Sequence, residues 1–155
     1  MHLAALGGHN RIAELILDHQ GSSIDVTDND GKSLLHLAVL SNNVATVELF
    51  LRKGALTEVL DKDNNTPLHL ALKGGFTHIA ELIIGQLEGS PINAIDNDGN
   101  SPLHLAAQKG YYGLVYLLIS KGASHSAVNK NNQSPYSLAP DSDTRSNFQC
   151  WGIWS

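Results

Sequence analysis

Apolar residues recur along this chain in two alternating patterns, each too short to form a domain alone. The first is a brief Leu/Ala segment, seen as Leu34-Leu35-His36-Leu37-Ala38, Leu68-His69-Leu70-Ala71 and Leu103-His104-Leu105-Ala106, with His2-Leu3-Ala4 as a truncated copy. The second is a fuller stripe of Leu, Ile, Val and Phe at residues 12–17, 46–51, 79–84 and 114–119. Apolar positions three and four apart share one helical face, so the pattern predicts two short helices per copy with a turn between them. Leu82 is expected in the core of one such stripe, where truncation to alanine costs about 2–5 kcal/mol.

The copies keep a fixed register. With the histidine as reference (2, 36, 69, 104, and Ser137 in its place) the steps are 34, 33, 35 and 33 residues, a period typical of repeat architectures. Six residues after it stand Gly8, Asn42, Gly75 and Gly110, and five before it Gly31, Asn64, Gly99 and Asn132. Glycine and asparagine enter the left-handed backbone region at low cost, so these sets mark the end of the first helix and a tight turn ahead of it. Thr66-Pro67 and Ser101-Pro102 read as a hydroxyl N-cap followed by proline at the first helical position. Neither helix of a copy can bury its apolar face alone, so the copies must stack on their neighbours.

These residues resemble the ankyrin repeat family, most closely in the run from Asp96 through Gly99, Ser101-Pro102-Leu103-His104-Leu105-Ala106-Ala107 and Gly110 to Gly122-Ala123. The resemblance covers about residues 1–139 and implies an all-α solenoid of stacked helix-turn-helix units with short hairpin loops. It divides the chain into a partial repeat at 1–27, repeats at 28–60, 61–95 and 96–128, a partial repeat at 129–140, and a non-repeat tail at 141–155. The third copy carries two extra residues within 85–91, where a loop absorbs them. Pro140 limits the fifth copy to a turn and a stub. In the tail, Phe148, Trp151 and Trp154 are expected to cap the last layer, to bind a partner as a linear motif, or to remain unordered; the sequence leaves these open.

Composition narrows the function. The formal net charge is -5 with only 16% charged residues, so no basic field suits nucleic acid or an anionic membrane. No apolar run approaches the roughly 18 residues needed to cross a bilayer. Cys150 is the sole cysteine, which points to a reducing compartment, cytoplasm or nucleus. No cofactor or metal is expected. His36, His69 and His104 fall in successive layers, whereas zinc ligands converge on one ion; the resemblance implies that this histidine stabilises the turn and helix start. Asp98, Ser101 and His104 would assemble a triad on paper, yet Ser33-His36 and Thr66-His69 repeat the spacing, which suits caps and not a nucleophile. Asn93 stands where the resemblance implies a hydroxylation target in some members, with Asp25, Glu58 and Ser126 at the equivalent positions.

Residues free to vary on the turn tips and the first helix form the expected contact surface, a concave groove in the resembled family. By motif position these are Asn29, Asp30, Lys32 and Leu40; then Lys62, Asp63, Asn65 and Lys73; then Asn97, Asp98, Asn100, Gln108 and Lys109, with Lys130, Asn131 and Gln133 extending the surface. Tyr111 and Tyr112 join them as aromatic anchors, with Phe76 and Tyr111 either anchors or covers for the inter-helix turn. The surface reads as polar with both charge signs. The resemblance implies a monomeric, non-catalytic scaffold that binds another protein, as an adaptor or inhibitor, or else a targeting or regulatory segment of a larger enzyme or channel.

Overall fold

The computed structural model describes residues 7, 11–12, 14–15, 18, 23–87 and 90–152. His2, Gly8, His9, His19 and Trp154 lie outside them. The chain divides into two compact units, residues 1–86 and 87–155, and the division falls at the loop that carries the extra residues.

The first unit contains α1 (Leu34–Leu40), α2 (Val44–Arg52), α3 (Pro67–Gly74) and α4 (Thr77–Gln86). Each first helix packs on its own second helix, and α1 also packs on α3 and α2 on α4. The core therefore lies between copies, built from Leu34, Leu35, Val47, Phe50, Leu68, Leu72, Ile79 and Ile83, all fully or almost fully buried. Ala38, Ala71 and Ala80 are fully buried as well, and their small side chains let neighbouring backbones approach. Leu82 departs from the expected pattern. It is half-buried and lines a groove of about 570 Å³ with Glu48, Leu51, Arg52 and Gln86, because the core face of α4 is taken by Ile79, Ala80, Ile83 and Ile84.

The second unit opens with a short 3-10 turn (Ser90–Asn93) and continues with α5 (Pro102–Gln108), α6 (Tyr112–Ser120), α7 (Pro135–Leu138) and α8 (Ser142–Cys150). Here α5 packs on α6 and α7, and α6 packs on α8. Gly31, Asn64, Gly99 and Asn132 all adopt positive φ, as do Asn42, Gly75 and Gly110. At Gly99 the requirement is double: φ is +78°, and a Cβ would stand 3.0 Å from the Lys130 backbone nitrogen.

Past residue 140 the chain continues as a further helix. Pro140 does stop α7 after four residues, but residues 142–150 form a helix that occupies, against α6, the place α4 takes against α2. Asp141 caps it, its Oδ1 accepting from the Thr144 N–H at 2.6 Å. Thr144 and Phe148, four residues apart, form its buried face. The Phe148 ring meets Tyr136 edge-on at 5.8 Å, and Asn147 Nδ2 donates to the Tyr112 carbonyl at 2.7 Å. Of the three readings left open for the tail, capping is the one realised through residue 152. Phe148 carries it, while Trp151 stays half-exposed beside Tyr116.

Candidate protein-binding surface

Each turn ahead of a first helix is a small finger whose polar groups are consumed internally. In the finger 61–66, Asp61 Oδ1 accepts from the backbone N–H groups of Asp63 (2.9 Å) and Asn65 (2.8 Å), and the Asn64 N–H donates to the Asp61 carbonyl at 3.0 Å. Asp28, Asp96 and Asn129 hold their fingers the same way. Neighbouring fingers within a unit are tied by one backbone bond each, from Lys62 N–H to the Asp30 carbonyl and from Lys130 N–H to the Asp98 carbonyl, both 3.0 Å. The fingers are thus fixed platforms, since most backbone donors at their tips have a partner within the fold.

The histidines lock finger to helix. Ser33 Oγ accepts from the His36 N–H, while the Ser33 N–H donates to His36 Nδ1 at 3.1 Å, a capping box in which imidazole takes the usual glutamate role. Because Nδ1 accepts, the proton sits on Nε2, which donates to the Asn65 carbonyl of the next finger at 3.0 Å. His104 repeats this with Ser101 and the Gln133 carbonyl at 3.1 Å, and His69 makes the same box with Thr66. Burial pushes the pKa of His36 and His104 below the usual 6.5, against the opposing pull of their carbonyl acceptors. Ser101 Oγ does lie 2.8 Å from His104 Nδ1, but Ser33 and Thr66 hold their histidines at the same distance and all six residues are buried. His104 Nε2 meets a carbonyl, not the Asp98 carboxylate, so the arrangement is a cap. Among the described residues no three His, Cys, Asp or Glu side chains gather to hold a metal.

Most of the expected contact residues do stand in the open. Asn29, Asp30, Leu40, Lys62, Asp63 and Lys73 are exposed in the first unit, and Asn97, Asp98, Gln108, Lys109 and Tyr112 in the second. Lys32, Asn100 and Tyr111 are half-buried. Asn65 corrects the surface reading: only 4% exposed, it donates from Nδ2 to Asp61 and accepts from Lys73 Nζ at 2.6 Å. Its side chain serves the finger. Phe76 covers its turn, with its ring over Gly74 so closely that a Cβ there would lie 2.6 Å away. Asn93 Oδ1 accepts from the Ser124 N–H at 2.7 Å, and Asp25 makes the equivalent bond to Leu56 at 2.9 Å, so this position joins successive copies.

Sequence reasoning missed an exposed apolar repeat position. Leu60, Ile95 and Val128, each one residue before the finger aspartate or asparagine, are 46%, 56% and 54% exposed. The signal was available, since all three share one repeat position with Thr27. The surface is consequently less uniformly polar than expected. Charge at the tips is locally balanced in the first unit, where Asp30 faces Lys32 at 3.6 Å and Lys62 at 3.4 Å.

Among the described residues no helix is long and apolar enough to cross a membrane. Comparison with known proteins places these features in context. A family model of ankyrin repeats in three copies matches residues 1–61 and 45–132. The chain is 34% identical over 47% of its length to the nuclear factor NF-kappa-B p105 subunit of Gallus gallus, covering 8% of that protein. It is 33% identical over 55% of its length to rabankyrin-5 of Mus musculus, covering 7%. With the target of rapamycin complex 2 subunit AVO2 of Saccharomyces cerevisiae it shares 27% identity over 58% of its length, covering 21%. The chain thus spans less than a quarter of each of these relatives. With the matched residues running through the fingers, helices and histidine caps described above, this chain belongs to the ankyrin repeat family.

Proposed function

We propose that this chain is a non-catalytic module that binds another protein through its fingers and the exposed sides of its first helices, as an adaptor or inhibitor. Ankyrin repeats are generally protein-interaction modules, and the family is generally non-catalytic. One observation carries the reading: the finger backbone, the cap hydroxyls and the histidines are spent on the fold, while Asn29, Lys62, Asp63, Gln108 and Lys109 project outward from rigid supports. Preorganised side chains lose little freedom on association. The module acts as a monomer in the cytoplasm or nucleus, in keeping with a lone, exposed Cys150.

Affinity capture followed by mass spectrometry tests it, with wild-type chain run beside Lys62→Glu and Lys109→Glu. A partner retained by the wild type and reduced by either charge reversal supports the reading. Retention that ignores the finger and first-helix changes but falls with substitutions on α2 or α4 overturns it.

A second reading draws on the small share of each relative that the chain covers: here the array would be the targeting or regulatory segment of a longer enzyme or channel. The full transcript decides between them, since flanking catalytic or membrane-spanning segments favour the second.

A further inference from the structure

We propose that α8 is a hinged cap, which lifts from α6 and α7 as one piece while the repeats beneath it stay folded. This motion stands independently of the protein-binding reading above.

The backbone shows where the hinge lies. In three copies the turn between the two helices is tied back to the first helix by one backbone bond: from the Asn43 N–H to the Ala38 carbonyl at 3.4 Å, from the Phe76 N–H to the Ala71 carbonyl at 2.9 Å, and from the Tyr111 N–H to the Ala106 carbonyl at 3.0 Å. By repeat position the corresponding pair in the last copy is Thr144 and Ala139. There the Thr144 N–H donates instead to the Asp141 carboxylate at 2.6 Å, a bond that belongs to the start of α8 itself. Among the described residues no backbone hydrogen bond joins 140–152 to the rest of the chain. Ala139 is buried and Pro140, which has no N–H to give, is exposed, so the chain passes from held to unheld between them.

Side chains therefore hold α8 down, and they are few. Four residues each of α2, α4 and α6 are buried, against Thr144 and Phe148 in α8. Ser142, Asp143, Arg145, Ser146 and Gln149 face solvent. The remaining attachments are the edge-on contact of Phe148 with Tyr136, the bond from Asn147 Nδ2 to the Tyr112 carbonyl at an exposed site, and the half-exposed Trp151 ring 6.3 Å from Tyr116. A segment with so few buried apolar contacts opens at a lower free energy than the core under it. A helix of this length is marginal in water by itself, so lifting also uncoils it. The open form bares the Phe148 ring, its seat on Tyr136, and the side of α6 that α8 covers in the closed form.

The test is native-state hydrogen exchange of the full chain, read residue by residue by nuclear magnetic resonance across a urea series below the unfolding transition. Amides 146–150 should be protected, yet exchange at least about tenfold faster than those of α5 and α6. Their rates should also depend less on urea, because lifting one helix exposes little surface. Asp141→Ala, which removes the cap, should speed exchange in α8 about fivefold and leave α5 and α6 unchanged, whereas Asp141→Asn, which still caps, should behave as wild type. Exchange of α8 at the same rate and urea slope as α6 overturns the proposal, since α8 would then open only with the whole fold. Equal acceleration of α5, α6 and α8 by Asp141→Ala overturns it too, as does an α8 without protection, which would have no closed form to lift from.

Discussion

At His36 one side chain joins three parts of the molecule: its Nδ1 accepts from the Ser33 backbone, its own N–H is capped by the Ser33 hydroxyl, and its Nε2 reaches the Asn65 carbonyl. A proton added at Nδ1 would face the Ser33 N–H donor and place a charge in a fully buried site. His36 and His104 both have folded pKa values held below 6.5, so under acid the unfolded chain takes up protons that the folded chain refuses. Stability should be fully present above pH 6.5 and should decline as pH falls below it, read as a falling urea midpoint. Replacing both histidines with glutamine should flatten that decline. A second residue-scale prediction concerns Gly99: valine there combines left-handed strain of about 1–2 kcal/mol with a clash against the Lys130 backbone, so urea unfolding should register at least that loss. Lys62→Glu should shift the same midpoint by less than about 1 kcal/mol, because its pair with Asp30 is well exposed on both sides. The glycine and asparagine turns were legible in the sequence because a positive φ excludes most other residues. Asn65 was not, because its burial depends on Asp61 and Lys73, which only the folded finger brings to it.

The two helices of each copy announced themselves by period, caps and breakers, since each of those signals is local. What the period could not resolve was which apolar residue of a dense stripe faces inward. In α4 five of the six residues 79–84 are apolar, and Leu82 falls on the open side. Ile83→Ala should therefore cost about 2–5 kcal/mol, and Leu82→Ala clearly less, in a paired denaturation series. Helix α8 is the opposite case. Its sequence, Ser-Asp-Thr-Arg-Ser-Asn-Phe-Gln-Cys, carries too few apolar residues to register as a stripe. Its only local signs were the Asp141 cap and the Thr144 and Phe148 pair four residues on. Phe148→Ala should lower stability by about 3–5 kcal/mol, and removal of residues 141–155 should lower the melting temperature. An unchanged melting curve on deletion would mean that α8 does not cap α6. Gly110 belongs to the same contact, because a Cβ there would lie 3.1 Å from Asp141 Oδ2.

Across the molecule, the repeated design separates two jobs. Finger aspartates, cap hydroxyls, histidines and inward leucines make one copy adhere to the next, and the side chains left over form the exposed surface on which the proposed binding would rest. The repeat register made the first job readable, since the same residues recur wherever the same contact recurs. The second was only partly readable: motif position located the exposed polar tips, but Leu60, Ile95 and Val128 emerged once their exposure was known.

Each copy obtains its interior from its neighbour, as α1 does from α3 and α2 from α4. The most direct measurement is far-ultraviolet circular dichroism of a peptide comprising residues 28–60 alone, heated in dilute buffer. It should show a coil spectrum with no cooperative transition, because isolated helices of this length are marginal in water and their apolar faces would be left open. A helical spectrum that melts cooperatively would contradict it.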